Sequence, residues 1–288
     1  MRTKLLFYSV FLIAVVSIAA NIDAYKIYNK KGQSTDFDAL VKSASQADIV
    51  LFGELHNNAI AHWLQLELTK AMHGTKGQNL VLGAEMFEAD GQLLLDEYLA
   101  ASITEKNFEK ESKLWPNYST DYKPLVTFAK ENKLPFIATN IPRRYASKVA
   151  YEGAEALQDL SKQAKSYMCP LPYKVDSNLP GYNALLHMNM GPHGSSTNFM
   201  NAQAVKDATM AHFILENTNK NQTFIHYNGA YHSNNFEGIS WYLKQKKPKL
   251  NIVTISCVET DNVKSFNTND DAPADFIIYI DEDVTKTY

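Results

Sequence analysis

The sequence predicts an α/β fold: a largely parallel central sheet flanked by helices, with a helical or irregular insertion. Three observations predict it. Short apolar runs at 49–52, 80–82, 136–138, 223–226, 252–258 and 276–280 alternate with amphipathic stretches at 59–72, 91–100, 124–131, 202–216 and 236–243. Strand–helix alternation of this kind builds a parallel sheet covered on both faces. The runs are apolar at nearly every position rather than every second one, as strands buried on both faces require. One stretch, about 155–200, breaks the rhythm with Pro, Gly and clustered Tyr, Met and His, and it reads as the insertion. Residues 261–275 are polar and read as a loop before the last strand.

The N-terminus carries a different pattern. Arg2 and Lys4 precede an apolar run of 14 residues, 5–18, and the small residues Ala19, Ala20 and Ala24 follow. A spanning helix needs about 20 apolar residues. The order of charge, short apolar core and small residues is that of a cleavable signal peptide over 1–24, cut after Ala19, Ala20 or Ala24. Residues 25–288 then form a single exported domain, placed in the periplasm or at the cell surface. No lipobox cysteine lies near the cut. Removing 1–24 takes away Arg2, Lys4 and Asp23, which leaves 26 basic and 30 acidic residues and a net charge of −4. Bulk charge therefore gives no reason to expect nucleic acid as a partner.

In an open parallel sheet, ligands bind beyond the carboxyl ends of the strands. Four of the runs end in polar or ionisable residues: Gly53-Glu54-Leu55-His56, Gly83-Ala84-Glu85, Thr139-Asn140-Ile141-Pro142-Arg143-Arg144, and Tyr227-Asn228-Gly229-Ala230-Tyr231-His232. Two of them share the form Gly-x-x-His. A glycine lets the backbone turn tightly and approach a ligand. The following imidazole serves as metal ligand or base when neutral, and as anion partner when protonated. Glu54, His56, Glu85, Arg144 and His232 are the candidate cleft residues.

Of the other histidines, His62 and His73 read as surface residues of the first amphipathic stretch, His212 as a helix residue, and His226 as a hydrogen-bonded core residue. No zinc-binding spacing, phosphate loop, nucleophile elbow or dinucleotide fingerprint occurs. The absence of Cys-x-x-Cys-His excludes covalent haem attachment of the c type. Cys169 and Cys257 could pair in an exported protein or stand as buried thiols.

The ordered set of blocks resembles the ChaN-like haem-binding proteins, within the wider group of erythromycin esterases and Tiki/TraB proteins. The blocks are Val50-Leu51-Phe52-Gly53-Glu54-Leu55-His56, Leu82-Gly83-Ala84-Glu85-Met86-Phe87, Trp115-Pro116, Tyr122-Lys123-Pro124, 134–143, 202–211 and Gly229-Ala230-Tyr231-His232. The resemblance implies a compact α/β fold with a helical addition. It also implies haem held without covalent attachment, often in a dimer, with Glu54, His56, Glu85, Arg144 and His232 in a shared cleft. Haem iron accepts Tyr, His or Met, and the porphyrin wants apolar walls. Tyr167, Tyr173, Tyr182, His187, Met190 and His193 of the insertion are the haem candidates.

Two functions follow. The first is an exported haem-binding protein serving haem and iron acquisition, with a homodimer and an outer-membrane uptake partner as its associations. The second is a hydrolase, with a divalent metal as its cofactor, in which Glu54, His56, Glu85 or His232 activates water and Arg144 stabilises an oxyanion.

Overall fold

A computed structural model describes residues 22–189, 195–267 and 273–288 of the chain. Their strands are β1 (Tyr25–Asn29), β2 (Ser34–Thr35), β3 (Ile49–Glu54), β4 (Leu80–Glu88), β5 (Phe136–Asn140), β6 (Thr223–Gly229), β7 (Ile252–Thr260) and β8 (Phe276–Asp281). They form one sheet in the order β2-β1-β8-β7-β3-β6-β4-β5. The six strands from β8 to β5 are parallel, and β1 runs antiparallel to β8 and β2 at the edge. Each apolar run is a strand. Several strands extend past the apolar residues into the ionisable ones that follow.

The helices are α1 (Phe37–Ala44), α2 (Ala59–Lys76), α3 (Gln92–Leu99), α4 (Glu105–Glu111), α5 (Lys123–Asn132), α6 (Arg143–Glu152), α7 (Lys162–Lys165), α8 (Pro180–Leu186), α9 (Ser196–Glu216) and α10 (Ile239–Lys246). Alternation along β3 sorts them into two layers. Val50 and Phe52 face a core with Leu64 and Leu68 of α2, Leu95 of α3 and Leu125 of α5. Ile49 and Leu51 face the other core, with Val149 of α6, Val205 of α9 and Leu243 of α10. The insertion contributes Met168, Tyr182 and Leu185 to that second core, and α8 packs on α9. It packs on α9 and reaches the carboxyl end of the sheet, where Tyr231 Oη donates to the Gly181 carbonyl of α8 at 3.1 Å.

β1, α1, α4 and α6 were not legible as elements; each is short and mixes charged with apolar residues. No helix among the described residues is long and apolar enough to cross a membrane. Residues 1–21 of the expected signal peptide, and the candidates Met190 and His193, lie outside the described residues. Cys169 and Cys257 are free, buried and assigned to the two different cores, so the sheet lies between them.

Candidate functional site

β3, β6 and β4 are adjacent in the sheet, and their carboxyl ends carry the ionisable residues. Glu54, the last residue of β3, is in register with Gly229, the last of β6. The two Gly-x-x-His turns interlock there. A Cβ on Gly229 would stand 2.8 Å from the His56 ring, and one on Gly53 would stand 2.9 Å from the Cα of Ala230. The glycines are needed for close approach, but what approaches is the opposite turn.

Glu54 is buried and accepts three hydrogen bonds. Tyr122 Oη and His56 Nδ1 donate to Oε1 at 2.6 and 2.9 Å, and Gln65 Nε2 donates to Oε2 at 2.5 Å. Burial alone would raise its pKa. The bond from His56 and the nearby His62 and His56 charges outweigh that and hold it below the usual carboxylate range. His56, more than a third exposed, is shifted upward by the Glu54 bond and charge and by Glu85, against burial.

The second half of the site is a buried triad. His232 Nδ1 donates to Asp207 Oδ1 at 2.6 Å, and Nε2 lies 3.2 Å from Glu85 Oε1. Burial would lower the imidazole pKa. The two carboxylates overcome it and push His232 up to about 10. Glu85 is held far below its ordinary value by His232 and His56 and by the Gly229 backbone N–H, which donates to Oε2 at 2.8 Å. Asp207 also accepts a 2.6 Å bond from Tyr182 Oη, so α8 of the insertion is tied directly to the strand-end cluster.

Glu54, His56, Glu85 and His232 thus converge. Arg144 does not join them: its Nη1 pairs with Asp90 Oδ2 at 2.5 Å, and the side chain is half exposed. It lines an open cleft of about 830 Å³ with Lys113, Leu114, Trp115, Pro116, Arg143 and Tyr288 among the walls. Trp115 connects cleft and cluster, since its ring meets the His56 ring edge-on at 4.9 Å between centroids. Among the described residues Arg143 makes no ion pair.

Six buried polar residues were missed. Asp207 is the single acid in the stretch 202–211 of α9. His62, read as a surface residue, is 4% exposed. It lies with Gln65 and Thr69 on the face of α2 turned to the sheet, where spacing of three and four residues aligns them. Its Nδ1 bonds Gln65 Oε1 at 3.0 Å, and its Nε2 bonds the His56 carbonyl at 3.1 Å. Tyr122 and Asn117 come from the segment before α5, and Asn117 Nδ2 donates to the same carbonyl at 2.7 Å. Nothing near β3 in sequence announces them. His226 is buried and bonds Thr139 and Asn228, as a core histidine should.

The haem candidates separate. Tyr182 is buried and committed to Asp207. Tyr173 Oη donates to the Asn201 carbonyl at 3.0 Å. His187 is exposed at the end of α8. Tyr167 lines a hollow of about 300 Å³ together with Asp90, Arg144 and Tyr145. Among the described residues, no group of three or more His, Cys, Asp or Glu side chains is arranged to hold a metal ion.

Fold and site together define an α/β protein whose strand ends carry a hydrogen-bonded ionic cluster beside an open cleft lined by Lys113, Arg143, Arg144 and Glu88. Residues 40–243 match the family described as haem-binding uptake, Tiki superfamily, ChaN. The chain belongs to that ChaN-like haem-binding family. A solved structure of ChaN of Campylobacter jejuni, showing cofacial haem binding, is 19% identical and covers 88% of this chain and 96% of its own, with a TM-score of 0.63. That likeness shows the fold. The type III effector HopBA1 (14% identity, 85% of this chain, 92% of its own, TM-score 0.49) is more remote. So is a variant of the erythromycin esterase EreC in its open conformation (14%, 88%, 82%, 0.48). No curated protein matches the sequence.

Proposed function

We propose that this protein binds haem non-covalently in the cleft beside the strand ends, as an exported component of haem and iron acquisition. The observation that carries the placement is Arg144, which lines both the large cleft and the smaller hollow that holds Tyr167. A haem presents a flat apolar body, two carboxylates and an iron that accepts a phenolate. The residues present fit each part. Leu114, Trp115 and Pro116 supply an apolar wall; Arg143, with no ion pair among the described residues, supplies a cation for the propionates, and Lys113 and Arg144, paired with Glu88 and Asp90, would exchange those partners for them. Of the described candidates, Tyr167 and His187 have side chains not committed to a buried partner, and Tyr167 alone sits next to the rim. Iron held by the Tyr167 phenolate would favour the ferric state.

The cluster favours this reading over hydrolysis. His232, pushed up to about 10, is not a ready base at neutral pH, and His56 is shifted in the same direction. The Glu54 carboxylate is already occupied by three donors.

The signal-peptide pattern supports export, and the mature protein should begin at residue 20, 21 or 25, which intact-mass measurement reads directly. Cofacial haem in the Campylobacter protein supports a haem-bridged dimer here, and sedimentation with and without haem tests it. The central test is absorbance titration with haem. A Soret band should grow to saturation in the wild type, and replacing both Arg143 and Arg144 by Glu should weaken binding by about a hundredfold, taking roughly tenfold for each lost charged hydrogen bond. Saturable binding unchanged in that variant would reject the cleft.

A further inference from the structure

A second groove lies on the α9–α10 face, away from the strand ends. It holds about 550 Å³, within the range of small-molecule sites. Ala208, Ala211 and Leu215 form one wall, spaced three and four residues apart along α9. The two alanines give the groove its depth. Trp241 and Tyr242 of α10 form the facing wall, and Pro170, Pro172 and Tyr173 of the insertion cross its end. The interior is thus apolar and aromatic.

The mouth is cationic. Lys174, Lys246 and Lys247 line it, against one acid, Glu216. None of the three lysines makes an ion pair among the described residues. Lys246 and Lys247 stand at the carboxyl end of α10, where the helix dipole favours a cation. Lys174 has no such reason. It comes from the insertion, and its Nζ lies 5.6 Å from the centre of the Trp241 ring. His212 and Gln245 add polar groups to the lining, and His212 is half-buried with no hydrogen bond among the described residues. Burial depresses its pKa, so the neutral ring offers a donor and an acceptor.

We infer that this groove is a binding site for an amphipathic carboxylate, a medium-chain fatty acid or an acid of similar build. Its apolar body would lie along Ala208, Ala211 and Trp241, and its carboxylate at Lys174, Lys246 and Lys247. Apolar depth and an unpaired cationic mouth complement one such molecule. A neutral lipid would leave the lysines unused, and a small polar anion would leave the walls unused.

Dodecanoate tests it, read by displacement of the fluorescent dye anilinonaphthalene sulfonate and by quenching of Trp241. Dodecanoate should bind saturably, and dodecanol at least tenfold more weakly. The surface variant Lys174→Glu/Lys246→Glu/Lys247→Glu, which leaves the core untouched, should weaken dodecanoate about tenfold or more, since exposed charge pairs contribute little singly. Ala211→Phe should abolish binding by filling the groove, while leaving the haem Soret titration unchanged. Three results would overturn the inference: no saturable dodecanoate binding, equal binding in both variants, or loss of the Soret band in Ala211→Phe. The last would make this groove the haem site. Failure of haem binding in the Arg143/Arg144 variant bears only on the other cleft.

Discussion

The His56 imidazole lies so close to Gly229 that no side chain fits between them, with 2.8 Å from the ring to where a Cβ would be. His56 cannot retreat freely, because its Nδ1 is held by Glu54 at 2.9 Å. Gly229→Ala should therefore push the ring off Glu54 and destabilise the fold by about 1–3 kcal/mol, the usual cost of overpacking. Denaturant unfolding would show a lower midpoint at unchanged slope. An unchanged midpoint would mean the turns are not interlocked.

Stability should also depend on pH in a stated direction. His232 has its pKa raised to about 10 by Glu85 and Asp207, from an ordinary 6.5. The stability this contributes is complete below pH 6.5 and is lost as pH rises through about 10. Glu54 and Glu85 are shifted the other way. Their contribution is present above the ordinary carboxylate pKa and is lost as pH falls below it. Unfolding free energy should thus decline on both sides of a mildly acidic optimum. His232→Gln should flatten the alkaline limb and cost about 3–5 kcal/mol at neutral pH, because it leaves two buried carboxylates facing each other. An alkaline limb as steep as the wild type's would show that another group carries it.

Much of this was legible in sequence, and for a physical reason. A strand buried on both faces must be apolar along its length, so the point where β3, β4 or β6 turns ionisable marks its carboxyl end and the cleft. What was hidden depends on tertiary contact. Asp207 and Gln65 lie on helices, and Tyr122 and Asn117 lie on the segment before α5. Each is fixed by a partner more than ten residues away in sequence. Arg144 stood in the right block, but Asp90 draws it toward the cleft rim, and no local pattern revealed that pairing.

The cysteines give a simple check on the layering. Cys169 and Cys257 are buried on opposite faces of the sheet, and burial raises both thiols, Cys169 to about 11 and Cys257 further. Native protein should resist alkylation near neutral pH, because the thiolate is the reactive form. Unfolded protein should take up two labels without prior reduction. A mass lower by two hydrogens, with labelling only after reduction, would show a disulfide and contradict the separation of the cores.

The last prediction separates the strand-end histidines from iron ligation. An imidazole binds iron through a nitrogen lone pair. His56 spends Nδ1 on Glu54, and the surrounding carboxylates shift the ring toward imidazolium. His232 has both nitrogens engaged by Asp207 and Glu85. His232 therefore offers no lone pair, and the upward shift of His56 disfavours its remaining nitrogen as a ligand. His56→Ala should therefore keep the Soret position of the haem complex, although loss of its contact with Trp115 should weaken affinity a few-fold. Trp115→Ala should weaken it further, as the wall itself is removed. Tyr167→Phe should shift or abolish the band, because only the phenolate oxygen is lost. A Soret band that moves in His56→Ala and stays in Tyr167→Phe would transfer the iron from the insertion to the cluster. The upward direction of the His56 shift would then be wrong as well, which its NMR titration would show independently.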